Sequence, residues 1–141
     1  MKILSLLLLM ILSAPAAHAH EIKAGSLVIV HPTVDEAEKG QALARGSMEI
    51  RNEGQIADEL LSIKAEFADE VTFETPGKVS VPANGRVLVP IAFHTLSRKL
   101  SENEAYSGEL SFAKAGIVKI DFLVHPHAHS SSAPFLTISS R

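Results

Sequence analysis

The sequence predicts an all-β domain, a Greek-key sandwich or barrel, on three observations. From Ser107 to Val124 apolar and polar residues alternate, with Leu110 and Phe112 before a Lys114-Ala115-Gly116 turn and Val118, Ile120, Phe122 and Val124 after it. That period of two marks strands with one face buried. Turn signals recur at short intervals, at Asn52-Glu53-Gly54, Asp69-Glu70 and Ala83-Asn84-Gly85, and no segment has a strong helical period or repeats another.

The first 19 of the 141 residues read as a secretory signal peptide. Lys2 precedes an apolar run from Ile3 to Leu12 broken only by Ser5, followed by Ser13-Ala14-Pro15 and the small-residue pattern Ala17-His18-Ala19. A spanning helix wants about 20 apolar residues, so cleavage after Ala19 is expected, with no membrane span afterwards. This divides the chain into a signal peptide (1–19), a β-sandwich domain (20–125) and a flexible His- and Ser-containing tail (126–141). The leader takes one Lys with it, leaving 12 basic against 16 acidic residues, a formal charge of −4. With no basic cluster, that balance excludes nucleic acid as a partner. No Cys is present, so disulfides and thiolate metal sites are excluded and stability must come from a packed core.

Taken in order, Leu27–His31 is the first strand, stopped by Pro32, and residues 34–44 are a long polar connection. Ser47–Arg51 turns Met48 and Ile50 inward as the second strand. Leu61, Ile63, Ala65 and Phe67 form one face of a third, and Val71 and Phe73 resume the pattern after the acidic turn at Asp69-Glu70. Val79 and Val81 pair with Val87 and Val89 in a hairpin, because Asn84-Gly85 tolerates the positive φ of tight turns. Pro82 and Pro90 place these strands at an edge or end them early. Thr95–Glu104 is a polar loop, and the terminal hairpin delivers His125, His127 and His129 to the rim of the sheet.

Those three histidines are the first candidate metal ligands. On an extended segment alternate residues lie on one side, about 7 Å apart at Cα, near enough for imidazoles to converge on Cu(II) or Zn(II). The second candidate is His20, which cleavage would make the N-terminal residue. Its α-amino nitrogen, with an ordinary pKa near 8, and its ring would chelate one ion. His31, before Pro32, is a weaker candidate. Nothing points to an enzyme: there is no Cys, no G-x-S-x-G elbow and no carboxylate pair distinct from the surface acids Asp69, Glu70, Glu102 and Glu104.

The order of four pieces resembles the periplasmic copper chaperone family PCuAC: AHEIKAGSLVIVHP (19–32), GSMEIRNEG (46–54), VPANGRVLVPIAFH (81–94) and LSENEAYSGELSFAKAGIVKIDFLV (100–124). The resemblance implies a cupredoxin-like fold and a copper site of two His and two Met. His94 falls on a family histidine and is the third candidate. Leu96 stands at the methionine position, Phe73 near the other histidine, and the intervening loop is about a dozen residues shorter than the family pattern. Met48, the one methionine left after cleavage, reads as core. The soft thioethers that select Cu(I) are gone.

The expectation is therefore a periplasmic copper-binding protein or metallochaperone. It would bind and deliver or buffer copper through His20, His94, His125, His127 and His129, with Cu(II) favoured over Cu(I), zinc as the other metal and a copper-accepting envelope protein as partner. The competing expectation is a binding or scaffold module of the envelope that has lost the copper site, with Phe73, Leu96 and the shortened loop forming an apolar contact surface.

Overall fold

A computed structural model describes residues 21–75 and 77–126. Nine strands fill these residues: β1 Glu21–Ala24, β2 Leu27–Asp35, β3 Leu43–Asn52, β4 Asp58–Ala65, β5 Ala68–Phe73, β6 Val79–Val81, β7 Arg86–Leu96, β8 Ala105–Phe112 and β9 Gly116–His125. One curled sheet runs β5-β7-β3-β2-β9-β8-β4-β6, and β1 pairs with β2 off this path. The halves β5-β7-β3-β2 and β9-β8-β4-β6 act as two layers enclosing the core, as expected of a sandwich.

The layers are joined through β2 and β9, which run parallel and pair only at Thr33–Leu123, Val34–Val124 and Asp35–His125. Below that junction they part, and β1 takes the lower half of the β2 edge by antiparallel pairing, Glu21 opposite Val30 through Ala24 opposite Leu27. The β1–β2 hairpin turns over Gly25-Ser26, with Gly25 at φ +59. It lies where the sequence suggested no strand, because four half-exposed residues carry too little alternation to be noticed.

The terminal hairpin is as predicted: Leu110, Phe112, Val118, Ile120, Phe122 and Val124 are all buried, and β8 pairs with β9 from Ala105–Leu123 to Phe112–Gly116. Met48 is likewise in the core. At the upper end Phe67, Phe93 and Phe122 meet with centroids 5.0 to 6.0 Å apart, and Tyr106 adds an edge contact 5.9 Å from Phe67. Each such pair contributes about 0.5–1.5 kcal/mol beyond its buried area.

Several expectations need correction. Pro32 does not stop the first strand: β2 continues to Asp35 through a register shift between Val30 and Thr33, with His31 at φ +47. A bulge takes Pro32 out of the ladder, where its missing N–H costs nothing. The connection thereby shrinks to residues 36–42. In β4 a register shift between Leu60 and Ser62 turns Leu60 into the core and leaves Leu61 38% exposed. Asp69 and Glu70 lie within β5, since the chain turns three residues earlier at Glu66-Phe67.

The Asn84-Gly85 hairpin does not form. Asn84 does take φ +51, and Gly85 N–H donates to the Pro82 carbonyl at 3.1 Å. However, β6 pairs with β4 and β7 pairs with β3 and β5, so the turn crosses between layers. Val81 and Val89 meet the core from opposite sides. Asn84 N–H to the Gly54 carbonyl (3.0 Å) and Asn52 N–H to the Gly85 carbonyl (2.8 Å) tie this turn to the β3–β4 turn. Packing four valines against the core from two layers, Val81 and Val89 fully buried, outweighs the local hairpin preference. Pro90 lies inside an inner strand, yet its carbonyl accepts from Glu74 N–H (3.1 Å), just past the end of β5. Its nitrogen points to that same side, where the ladder has ended and no donor is needed.

Candidate metal centre

His94 stands on the outer face of β7, directly opposite Glu70 of β5 and Leu43 of β3. Its half-buried ring places Nε2 2.8 Å from Thr72 Oγ1, a hydrogen bond whose direction depends on the ring tautomer. This partner steadies the ring, and among the described residues no hydrogen bond engages Nδ1. Beside it, Arg45 reaches across β7 from β3 to Glu74, with Nη1 to Oε1 at 2.6 Å. Nothing in the sequence marks Thr72 and Glu70 as neighbours of His94. Only the β5–β7 register reveals them, and in the sequence Asp69-Glu70 reads as a turn.

Two residues on, Leu96 is 1% exposed. In a regular strand residues i and i+2 share a face, but Thr95 lies at φ +54 and reverses the alternation. The left-handed conformation is unusual for a β-branched residue. It is held by Thr95 N–H to the Ala42 carbonyl and Leu96 N–H to the Gln41 carbonyl, both 2.9 Å. Leu96 therefore enters the core while His94 stays outside. Phe73 is half-buried and packs against the same core with Val71. The apolar contact surface expected at Phe73 and Leu96 does not form, because both side chains serve the interior. Met48, on the inner face opposite Val89, directs its thioether away from His94.

His125 ends β9 as an exposed residue beside Asp35 of β2, and its carbonyl accepts from Glu36 N–H at 2.9 Å. It lies at the same end of the sandwich as His94, but β3 and β2 intervene. Three strand spacings amount to about 14 Å along a face that curves away from the core, too far for one ion to be shared by these two rings. His31 sits exposed at the β2 bulge. Among the described residues no three His, Asp or Glu side chains are grouped to hold a metal, and no helix is long and apolar enough to cross a membrane. His20, His127, His129 and the signal peptide lie outside the described residues.

At the opposite end Asp58 is 8% exposed and staples the β8–β9 turn to the start of β4. Its Oδ1 accepts from Glu59 N–H (2.8 Å) and Lys114 N–H (2.9 Å), and Oδ2 from Ala115 N–H (2.9 Å). Burial pushes its pKa up, but these N–H groups, aided by the Lys114 charge, bring it below the ordinary 3.8. Tyr106 is shifted upward chiefly by donating its hydroxyl to the Glu104 carboxylate.

The two-layered curl, the parallel β2–β9 junction and the strand order define a cupredoxin-like β-sandwich. No family model matches the sequence, and no curated protein matches it. Solved structures do match: the fold is that of PCuAC domains. The apo PCuAC domain from PmoF1 aligns with a TM-score of 0.71 at 23% identity, covering 76% of this chain and 99% of that one. The copper-bound PCuAC domain from PmoF2 aligns at 0.69 with 25% identity, covering 76% and 98%. Its apo form gives 0.68 and 24%, covering 76% and 95%. The resemblance to the PCuAC family extends over most of the chain.

Proposed function

We propose that this is a periplasmic copper-binding protein, a carrier rather than an enzyme, that delivers or buffers copper through histidine. The observation carrying this reading is the similarity to PCuAC domains, one of them copper-bound, combined with histidines at the upper end. His125 sits where β9 hands the chain to the tail bearing His127 and His129. His94, with Thr72 beside it, would be a separate, weaker point of contact. Leu96 and Met48 are committed to the core, so no thioether supports Cu(I), and nitrogen ligands favour Cu(II), with zinc the other ion such a set accepts. The N-terminal amine and ring of His20 would add to the ligand set after export. Imidazole ligation weakens as pH falls through the ordinary histidine range near 6.5, a simple route to release toward an acceptor in the envelope.

The test is a Cu(II) and Cu(I) titration of the mature chain beginning at His20, beside one ending at Val124. Loss of Cu(II) binding on truncation supports the tail-centred nitrogen site. Equal binding by both, or retention by a His125/His127/His129→Ala triple variant, refutes it.

A further inference from the structure

The lower end of the molecule holds two strand edges that face each other across a cleft. In β9 the even residues bond to β8, as Val124 N–H to the Glu104 carbonyl (2.9 Å) fixes the phase. The backbone groups of Ile117, Lys119 and Asp121 therefore point the other way, toward β2, which pairs with β9 only from Leu123 upward. On the opposite side, Glu53 N–H to the Ser26 carbonyl (2.8 Å) shows that even residues of β2 face β3. Odd ones face β1, so Ala24 and Ile22 bond to β2 while Lys23 and Glu21 turn their backbones outward. Among the described residues neither edge has a ladder partner.

The space between these edges is a cleft of about 610 Å³, walled by Ile22 of β1 and the 67%- and 69%-exposed Ile56 and Ile117. It runs on into a second hollow of about 670 Å³ over the outer face of β9, β8 and β4. The charge lining the lower cleft is positive although the protein as a whole is at −3. Lys23, Lys114 and Lys119 line the cleft, and the one acid there, Asp58, is already engaged by three backbone N–H groups. Glu109, opposite Lys119 on β8, stands on the side away from β1. Glu21 is held by Arg51 at 2.7 Å. The upper hollow differs: Glu66, Glu109 and Asp121 line it beside Lys64 and Lys119, so the positive lining is confined to the lower cleft.

We propose that the β1–β9 cleft is a docking site for an extended, acidic, alternately apolar segment of a partner protein, bound by strand addition. Unpaired N–H and C=O rows are satisfied by an extended backbone, isoleucines on the walls take every second side chain, and the lysines take the acids between. The chain's own tail, residues 126–141, contains no Asp or Glu and ends in Arg141, a poor complement to the lysines. A second copy paired antiparallel on β9 about Lys119 would set lysine against lysine.

The experiment is residue-resolved amide exchange on the mature chain, with the peptide acetyl-Glu-Val-Glu-Ile-Glu-Val-amide as probe. Two controls accompany it: the same peptide with Lys for Glu, and one N-methylated at alternate backbone nitrogens. The expected result is slowing of exchange by about tenfold or more at Ile117, Lys119 and Asp121 at saturation. Methylation should abolish it, and Lys119→Glu or Lys23→Glu should weaken binding by about tenfold. No protection at these amides, equal binding by the Lys peptide or equal binding by the methylated peptide would each overturn the proposal. So would edge amides that are already protected in the unliganded full chain and lose protection when residues 127–141 are removed, since the tail would then be the occupant.

Discussion

Replacing Asp58 by Asn keeps the shape of the side chain and removes its charge, which isolates the electrostatic part of the lower staple. The amide oxygen retains the bonds from Glu59 and Lys114 N–H at the Oδ1 position. Each falls from a charge-assisted bond of about 1.5–3 kcal/mol to a neutral one of about 0.5–1.5. At the Oδ2 position an NH2 group faces Ala115 N–H, and a donor left unpaired in a site this buried costs about 1–3 kcal/mol. The expected loss is at least about 3 kcal/mol, or roughly 14 °C in melting temperature for a domain near 100 residues. The pH dependence has a definite sign. A carboxyl whose folded pKa lies below 3.8 stabilises the fold above the unfolded value, and this contribution is lost as pH falls through the folded one. The gap between parent and variant should therefore be full at pH 7 and narrow below pH 3.8. Urea melts of both proteins at pH 7, 5 and 3 measure it. A variant within about 0.5 kcal/mol of the parent at pH 7, the scatter of neutral surface changes, or a gap that does not shrink at pH 3, would show that the three N–H groups do not act through the charge.

Gly108→Ala should cost about 3 kcal/mol or more, because a Cβ there would lie 2.5 Å from Phe122 Cε2 and 2.9 Å from the Lys64 carbonyl; denaturant melts read this directly. Leu96→Met should cost under about 1.5 kcal/mol as a near-isosteric core exchange and should give no new Cu(I) affinity, since Thr95 sends that side chain inward; a Cu(I) competition titration checks it. Thr72→Val removes the hydroxyl that hydrogen-bonds the His94 ring and should cost about 0.5–1.5 kcal/mol. The His94 ring nitrogens should show a changed tautomer balance in their NMR spectra, and an unchanged spectrum would deny the contact.

The parts of the fold that could be read from the chain were those where local pattern and tertiary partner agree. The β8–β9 hairpin is the clearest: its turn, its alternation and its burial all point one way, and every predicted inward residue is inward. The Ala83-Asn84-Gly85 turn shows the limit, because its φ values were foreseeable but not the layer to which each flanking strand would belong. That choice rests on β4 offering Val79 and Val81 a ladder, a contact between residues about 20 apart. Positive φ at His31 and Thr95 was equally hidden: histidine visits that region more than most residues but still seldom, and a β-branched threonine rarely. Each reverses which side chains face out, and that reversal separates His94 from Leu96. His94 and His125 were legible as histidines near strand ends. Their separation by two strands was not, since it depends on the sheet order.

The two ends of the sandwich are joined to different parts of the chain, and this makes their roles separable. The upper end rests on the Phe67, Phe93 and Phe122 cluster and the β2–β9 junction, which fix His94 and His125 from below. The lower cleft is bounded by the Lys114-Ala115 turn, which the Asp58 carboxylate holds to β4. Removing that charge while the upper core stays intact frees the turn bearing Lys114 but leaves the β2–β9 pairing untouched. Asp58→Asn should therefore speed amide exchange in the Lys114-Ala115 turn several-fold, by loosening one wall of the cleft, while the Cu(II) titration of the same variant, under conditions where it remains folded, should match the parent. A matching loss of Cu(II) binding would mean that the sandwich behaves as one cooperative unit in which a loosened lower turn propagates to the histidines, and the two sites would then have to be treated as coupled.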